Sequence, residues 1–83
     1  MKLRLSRTVA KQVKRLPKAE RLKVFRKLDQ LRQSSSPVGK KLRGQLVDSW
    51  SLKAWPYRIV YIYFPEKNLI IVKTVQHRQG VYN

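Results

Sequence analysis

The sequence contains no cysteine, one histidine and only four acidic residues among 83. The lack of cysteine excludes disulfide bonds and thiolate metal sites, and it fits a reducing cytoplasm. With so few carboxylates and a single imidazole, we expect neither a zinc site nor a calcium site, and no cofactor. A nuclease that uses two metal ions is disfavoured for the same reason, because its metals need acidic ligands.

Long apolar runs are also lacking. No stretch approaches the roughly 20 residues that cross a bilayer. The basic start MKLRLSRTV has no apolar block behind it, so a signal peptide is not expected. These absences predict a soluble cytoplasmic protein with no membrane partner. The hydrophobic content of 42% is near the globular norm and predicts a single folded domain over residues 1–83.

Positive charge is what the sequence has in excess. Twenty lysines and arginines against four acids give a formal net charge of +16. Self-repulsion of this size destabilises a compact monomer, so the charge predicts an anionic partner. Nucleic acid is the first candidate, an acidic protein the second and a membrane surface the third, because the basic segments lack the bulky aromatic face of an interfacial helix. A merely solvated basic surface is the plainest alternative.

Hydrophobic periodicity predicts two helices in the first half of the chain. KLRLS alternates like a short strand, Ser6 can cap a helix from Arg7, and Pro17 suits the first turn of a second helix that continues to Gln33. Apolar residues at helical spacing predict the buried stripes: Val9, Val13 and Leu16 on the first helix, and Ala19, Leu22, Phe25, Leu28 and Leu31 on the second. The two helices should form an antiparallel hairpin.

The second half has the pattern of strands. After the loop SSSPVGKKLRGQ, strands are predicted over residues 46–54, 57–64 and 68–76, with a turn at PEKN between the last two. The element order is then strand, helix, helix, strand, strand, strand. This order predicts an α+β domain in which an antiparallel sheet carries the helical pair on one face.

Strand alternation predicts a group of reactive side chains on the open face of this sheet. Trp50 and Leu52 should rest on the helices, so Lys53 should stand on the opposite face. Other candidates come from the start of the next strand and from the end of the chain. Together they form the predicted site: Lys53, Arg58, His77, Arg78 and Tyr82.

Such a set suits cleavage of RNA by its own 2′-hydroxyl. The reaction needs a base for the hydroxyl proton, cations for the charge on phosphorus and an acid for the leaving oxygen. Arginine forks match phosphate oxygens, and a lysine crowded by other cations gives up its proton more readily. A single histidine cannot fill both proton-transfer roles, so lysine, tyrosine or the RNA's surroundings must fill the other. Each residue also has a plain structural interpretation, as a solvated charge or as a cap on the core.

Three stretches, in this order, resemble the RelE/ParE superfamily of type II toxins: KLRGQ, WSLKAWPYRIVYIY and VQHRQGVY. The Leu–Pro step between the helices, at 16–17, is also typical of it. The resemblance covers nearly the whole chain, and the ordered set is more specific than any one motif. It implies a RelE-like fold. In the RelE branch it implies an endoribonuclease that cuts mRNA in the ribosomal decoding site, whereas the ParE branch inhibits DNA gyrase by binding.

The resemblance also implies roles for individual residues. Lys53 matches a basic position that can serve as general base. Arg58 and Arg78 match arginines that hold the phosphate and stabilise its transition-state charge. Tyr82 matches a tyrosine that stacks on a base or helps in proton transfer, and His77 is a second candidate for the acid. Neighbouring residues are predicted to bind RNA: Lys40, Lys41, Arg43 and Ser51.

Two positions depart from the family pattern. Ser51 stands where ribosome-dependent nucleases often carry Lys or Arg, and Trp55 and Pro56 replace the usual Gly–Asp. The favoured hypothesis is a metal-independent mRNA interferase that acts with the ribosome and is controlled by an acidic antitoxin. The alternatives are a ParE-like gyrase inhibitor and a non-catalytic RNA-binding protein that stacks bases on the tyrosines of the strand over 57–64.

Overall fold

The computed structural model describes residues 1–44 and 47–77. These residues form a five-stranded sheet and two helices: β1 (Lys2–Leu5), α1 (Arg7–Lys14), α2 (Lys18–Gln33), β2 (Lys40–Lys41), β3 (Ser49–Ala54), β4 (Tyr57–Phe64) and β5 (Leu69–His77). The strand order is β1-β5-β4-β3-β2. A short 3₁₀ turn (Pro65–Lys67) joins β4 to β5 where the sequence predicted a turn. In the described ranges, neither helix has the length and apolarity that crossing a membrane requires.

The α+β class is confirmed, and the sheet is mixed instead of wholly antiparallel. β1 pairs in parallel with β5, while the other neighbouring strands are antiparallel. The chain leaves β1 directly into α1, which packs over β5. Both helices and three strands lie between β1 and β5 along the chain, so the two strands are not joined by a hairpin, which would force an antiparallel pair. The loop predicted before β3 also contains the short strand β2, which pairs with β3.

Side-chain hydrogen bonds hold α1 on the sheet. The Ser6 hydroxyl accepts the N–H of Val9 at 3.1 Å, which caps the helix as the sequence predicted. The carboxamide oxygen of Gln12 accepts the N–H of Val75 at 3.0 Å, on the edge of β5 beyond the end of β1. The helix ends at Lys14, so Leu16 lies outside it, although Leu16 still packs against the core.

The buried face of α2 differs from the predicted stripe. Val24, Leu28 and Leu31 are buried, whereas Leu22 and Phe25 are 45% and 42% exposed; Ala19 is exposed as well. Both sets of apolar residues have helical spacing, so periodicity alone could not choose between them. Packing against the sheet makes the choice, and it leaves Leu22 and Phe25 on the surface.

The core lies between the helices and one face of the sheet, and Tyr61 is the largest of its fully buried side chains among the described residues. This residue is fully buried. Its hydroxyl donates to the carbonyl of Val38 and accepts the N–H of Val38 at 2.9 Å. Because these bonds join β4 to the segment that enters β2, Tyr61 holds that segment against the sheet.

We expect Tyr61→Phe to destabilise the fold and to change its response to high pH. Loss of the hydroxyl leaves both backbone groups of Val38 without this partner, which costs about 1–3 kcal/mol. Burial raises the pKa of Tyr61 from 10.0 to about 12; the hydrogen bond to Val38 opposes the rise and the charge of Asp48 adds to it. The resulting stability is therefore present below pH 10 and lost as the pH rises through 12.

Urea unfolding of both proteins across this pH range measures the effect. The difference in the free energy of unfolding between the native protein and Tyr61→Phe should shrink as Tyr61 ionises. Because both proteins carry the same lysines, subtracting their curves removes the titration of those groups. Parallel curves would contradict this prediction.

Candidate nucleic-acid cleft

The hairpin of β3 and β4 places Lys53 and Arg58 side by side. The antiparallel register sets the two residues directly opposite each other, and both are exposed. Directly opposed residues have Cβ atoms about 4.5–5.5 Å apart. Leu52 and Ile59, which are paired next to them, are buried against the helices. Strand alternation therefore directs Lys53 and Arg58 to the face away from the helices.

Both side chains line a cleft at the edge of the sheet. The cleft has a volume of about 600 Å³, within the range of about 300–1,000 Å³ that is typical of ligand sites. Its walls come from α2 and from three strands with their flanks: Lys27, Gly39, Lys40, Leu42, Ser51, Leu52, Lys53 and Arg58. Four cations thus share one cleft with two leucines.

The cleft is cationic because the four acidic residues of the sequence lie elsewhere. Three of them form ion pairs with nearby cations: Glu20 with Lys23, Asp29 with Arg32 and Asp48 with Lys41. The fourth, Glu66, lies in the turn between β4 and β5. An anion in the cleft would therefore meet positive charge without competition from a carboxylate on its walls.

Gly39 allows the chain to approach β3 closely. Its φ is +107°, and a Cβ at this position would lie 2.3 Å from the carbonyl oxygen of Ser51. Only glycine combines this backbone conformation with this approach. The approach lets Lys40 pair with Ser51 across the β2–β3 ladder, so the lysine is held at the edge of the cleft.

The predicted RNA-binding residues separate into two groups. Lys40 and Ser51 line the cleft as strand partners. Lys41 forms an ion pair with Asp48 at 3.5 Å, and Arg43 is exposed in the turn after β2. Neither Lys41 nor Arg43 lines the cleft, so the structure brings together only half of the predicted group.

His77 does not join Lys53 and Arg58, which corrects the predicted site. The register of β4 and β5 sets His77 opposite Tyr57, and its ring packs edge-on against that tyrosine with centroids 5.2 Å apart. Tyr57 is buried on the helix-facing side. β5 continues through His77 instead of ending before it, so regular alternation directs the imidazole to the side of Tyr57. The open face opposite Arg58 carries Gln76.

Arg78 and Tyr82 lie outside the described residues, so their roles stay predictions. Lys27 is the cleft residue that the sequence did not reveal, because it is one of several cations on α2 and only packing distinguishes it from the others. Among residues 1–44 and 47–77, no group of three or more histidine and acidic residues could hold a metal ion.

Solved structures share this fold. The archaeal RelE–RelB complex from Pyrococcus horikoshii OT3 matches with a TM-score of 0.78 at 21% identity, over 93% of this chain and 93% of that chain. The isolated E. coli RelE toxin gives 0.73 at 27% identity, over 98% and 89%. The intact E. coli RelBE toxin–antitoxin complex gives 0.72 at 26% identity, over 92% and 94%.

The family model comparison agrees with these structural matches. No curated protein sequence is significantly similar to this one. The model described as the ParE toxin of the type II toxin–antitoxin system parDE matches residues 3–82. Because that match spans almost the whole chain, the protein belongs to this ParE toxin family of the RelE/ParE superfamily, and it has the RelE-like fold.

Proposed function

We propose that this toxin is a ribosome-dependent mRNA interferase, a metal-independent endoribonuclease that cuts translated mRNA in the cytoplasm and stops translation. The observation that carries the proposal is the cross-strand pair of Lys53 and Arg58, exposed together in a cleft that no acidic residue lines. The likeness to the isolated E. coli RelE toxin at 27% identity supports the RelE type of activity.

In this mechanism Lys53 accepts the proton of the RNA 2′-hydroxyl. The freed oxygen forms a bond to phosphorus, the bond to the 5′-oxygen of the next nucleotide breaks, and a 2′,3′-cyclic phosphate remains. Arg58, with Arg78 as the resemblance implies, binds the non-bridging oxygens, whose negative charge grows in the transition state. A proton must reach the leaving oxygen, and Tyr82 is the proposed donor because His77 lies on the other face.

The family model favours a second candidate, a toxin that inhibits DNA gyrase by binding, because the model that matches is ParE. Lys53 and Arg58 would then be contact residues instead of reactive groups. The third alternative, a non-catalytic protein that stacks RNA bases on tyrosines of β4, is less well supported. Tyr57 and Tyr61 are buried against the helices and offer no stacking surface.

Mapping of mRNA 5′ ends after brief induced expression tests the proposal. We expect new ends at a fixed phase within translated codons, and these ends should be absent with Lys53→Ala and with Arg78→Ala. Growth arrest with intact mRNA and induction of DNA-damage signalling would overturn it in favour of gyrase inhibition. Full toxicity of both variants would also overturn the assigned roles.

An antitoxin is the partner of a toxin of this family, and the proposal includes its docking surface. An apolar groove of about 380 Å³ lies between α2 and β1 and is lined by Leu3, Leu5, Phe25, Leu28, Asp29 and Arg32. β1 is an edge strand of the sheet, and an extended segment can add to such an edge. The exposed cations Lys2 and Arg4 alternate with the groove leucines along β1. An antitoxin segment would match this pattern if its apolar side chains entered the groove and its acidic side chains faced Lys2 and Arg4.

A further inference from the structure

We propose that Lys27 forms a second phosphate-binding subsite, through which a single RNA strand crosses the edge of β3 to the helix side of the sheet. The identity of the ligand as RNA rests on the proposed function. The position of the subsite is inferred from the residues that line the cleft.

The cleft reaches around the edge of the sheet because β2 is short. The ladder between β2 and β3 consists of two residue pairs and begins at Lys40 opposite Ser51. Just before this ladder, the backbone of Val38 is hydrogen-bonded to the hydroxyl of Tyr61 on the helix-facing side. Val38 therefore does not continue the ladder along β3. The edge of β3 beside Lys53 therefore lacks a strand neighbour among the described residues.

Lys27 lies on one side of this edge, and Lys53 and Arg58 lie on the other. Lys27 belongs to α2, which packs against β3 on the helix-facing side, whereas Lys53 and Arg58 project from the opposite face. All three side chains nevertheless line the same cleft, and so does Lys40, which lies on the edge strand β2 opposite Ser51. A strand with a phosphate at Arg58 would thus meet Lys40 at the edge and Lys27 beyond it.

The surroundings of Lys27 favour an anion. Its side chain is only partly exposed, so a charge bound to it is less screened by solvent than one on an open surface. None of the ion pairs among the described residues involves Lys27. Leu42 and Leu52 supply apolar contact within the same cleft, which suits the sugar and base of a nucleotide.

Binding of an uncleavable RNA tests the subsite apart from catalysis. The probe is a short single-stranded RNA with 2′-O-methyl groups, titrated at several salt concentrations. Lys27→Gln should weaken binding about fivefold or more and lower the slope of log K against log salt by about 0.7, the value for one phosphate contact on a single strand. Lys18→Gln is the matched control, because it removes the same charge from an exposed position on α2 outside the cleft.

The conservative variant Lys27→Arg should bind like the native protein, since it keeps the charge. This variant tests the subsite independently of whether Lys27→Gln folds well. Equal affinities and slopes for Lys27→Gln and Lys18→Gln would overturn the subsite, as would a loss of binding in Lys27→Arg with an unchanged unfolding midpoint. Failure of the proposed function appears differently, as intact cellular mRNA with the native toxin. The two failures are therefore separable.

Discussion

Replacing Arg58 by alanine should lower the single-turnover rate of mRNA cleavage on programmed ribosomes by about 100- to 1,000-fold, the usual loss when one donor to a developing oxyanion is removed. Arg58 lies directly opposite Lys53 and is exposed in the cleft. The guanidinium can hold two phosphate oxygens at once, and the charge on those oxygens increases as the 2′-oxygen attacks. Arg58→Lys should recover only part of the rate, because it keeps the charge and loses the fork.

Arg43→Ala is the control for Arg58→Ala. Arg43 is also exposed and basic, but it lies in the turn after β2 and does not line the cleft. Both variants should keep their free energy of unfolding within about 0.5 kcal/mol of the native value, because surface substitutions of this kind rarely do more. If both variants lost the same modest factor, general electrostatics would explain the effect and Arg58 would have no specific role at phosphorus.

Phe25→Asp should weaken antitoxin binding by about 2–4 kcal/mol, or roughly 30- to 1,000-fold, as is typical when an aromatic anchor is lost from an interface. Phe25 is 42% exposed and lines the apolar groove between α2 and β1. An aspartate there would place a charge where an apolar side chain of the antitoxin is expected to dock. The measurement is isothermal titration with the product of the neighbouring gene.

Toxicity provides the second readout for Phe25→Asp. The groove does not share a residue with the cationic cleft, so the variant should still arrest growth while the co-expressed antitoxin no longer rescues it. Val47→Asp introduces the same charge at a position that is 46% exposed and outside the groove, and it should be rescued normally. Efficient rescue of Phe25→Asp would place the antitoxin on another surface.

Local patterns in the sequence determined the two helices, every strand except β2 and the pairing of Lys53 with Arg58. Ser6 and Pro17 mark the helix starts, because each residue acts on its own neighbours along the chain. Ser6 caps α1 with its hydroxyl, and Pro17 lies at the N-cap position of α2, one residue before the first turn in which the sequence placed it. Lys53 and Arg58 could be placed because only the turn from Trp55 to Pro56 separates β3 from β4. So short a connection sets the register of a hairpin, and alternation then sets the face of each side chain. The charge of +16 was likewise a property of composition alone.

Contacts between distant parts of the chain decided which face of α2 is buried, where His77 lies and which helix residue enters the cleft. Val24 and Phe25 compete for the buried side of α2, and the sheet beneath the helix selects Val24. The pairing of His77 with Tyr57 excludes the imidazole from the open face, and this outcome depended on how far β5 continues beyond the predicted strand. Lys27 enters the cleft only because α2 packs beside β3. Periodicity describes one element at a time, whereas a site assembled from a helix and three strands depends on how those elements pack in space.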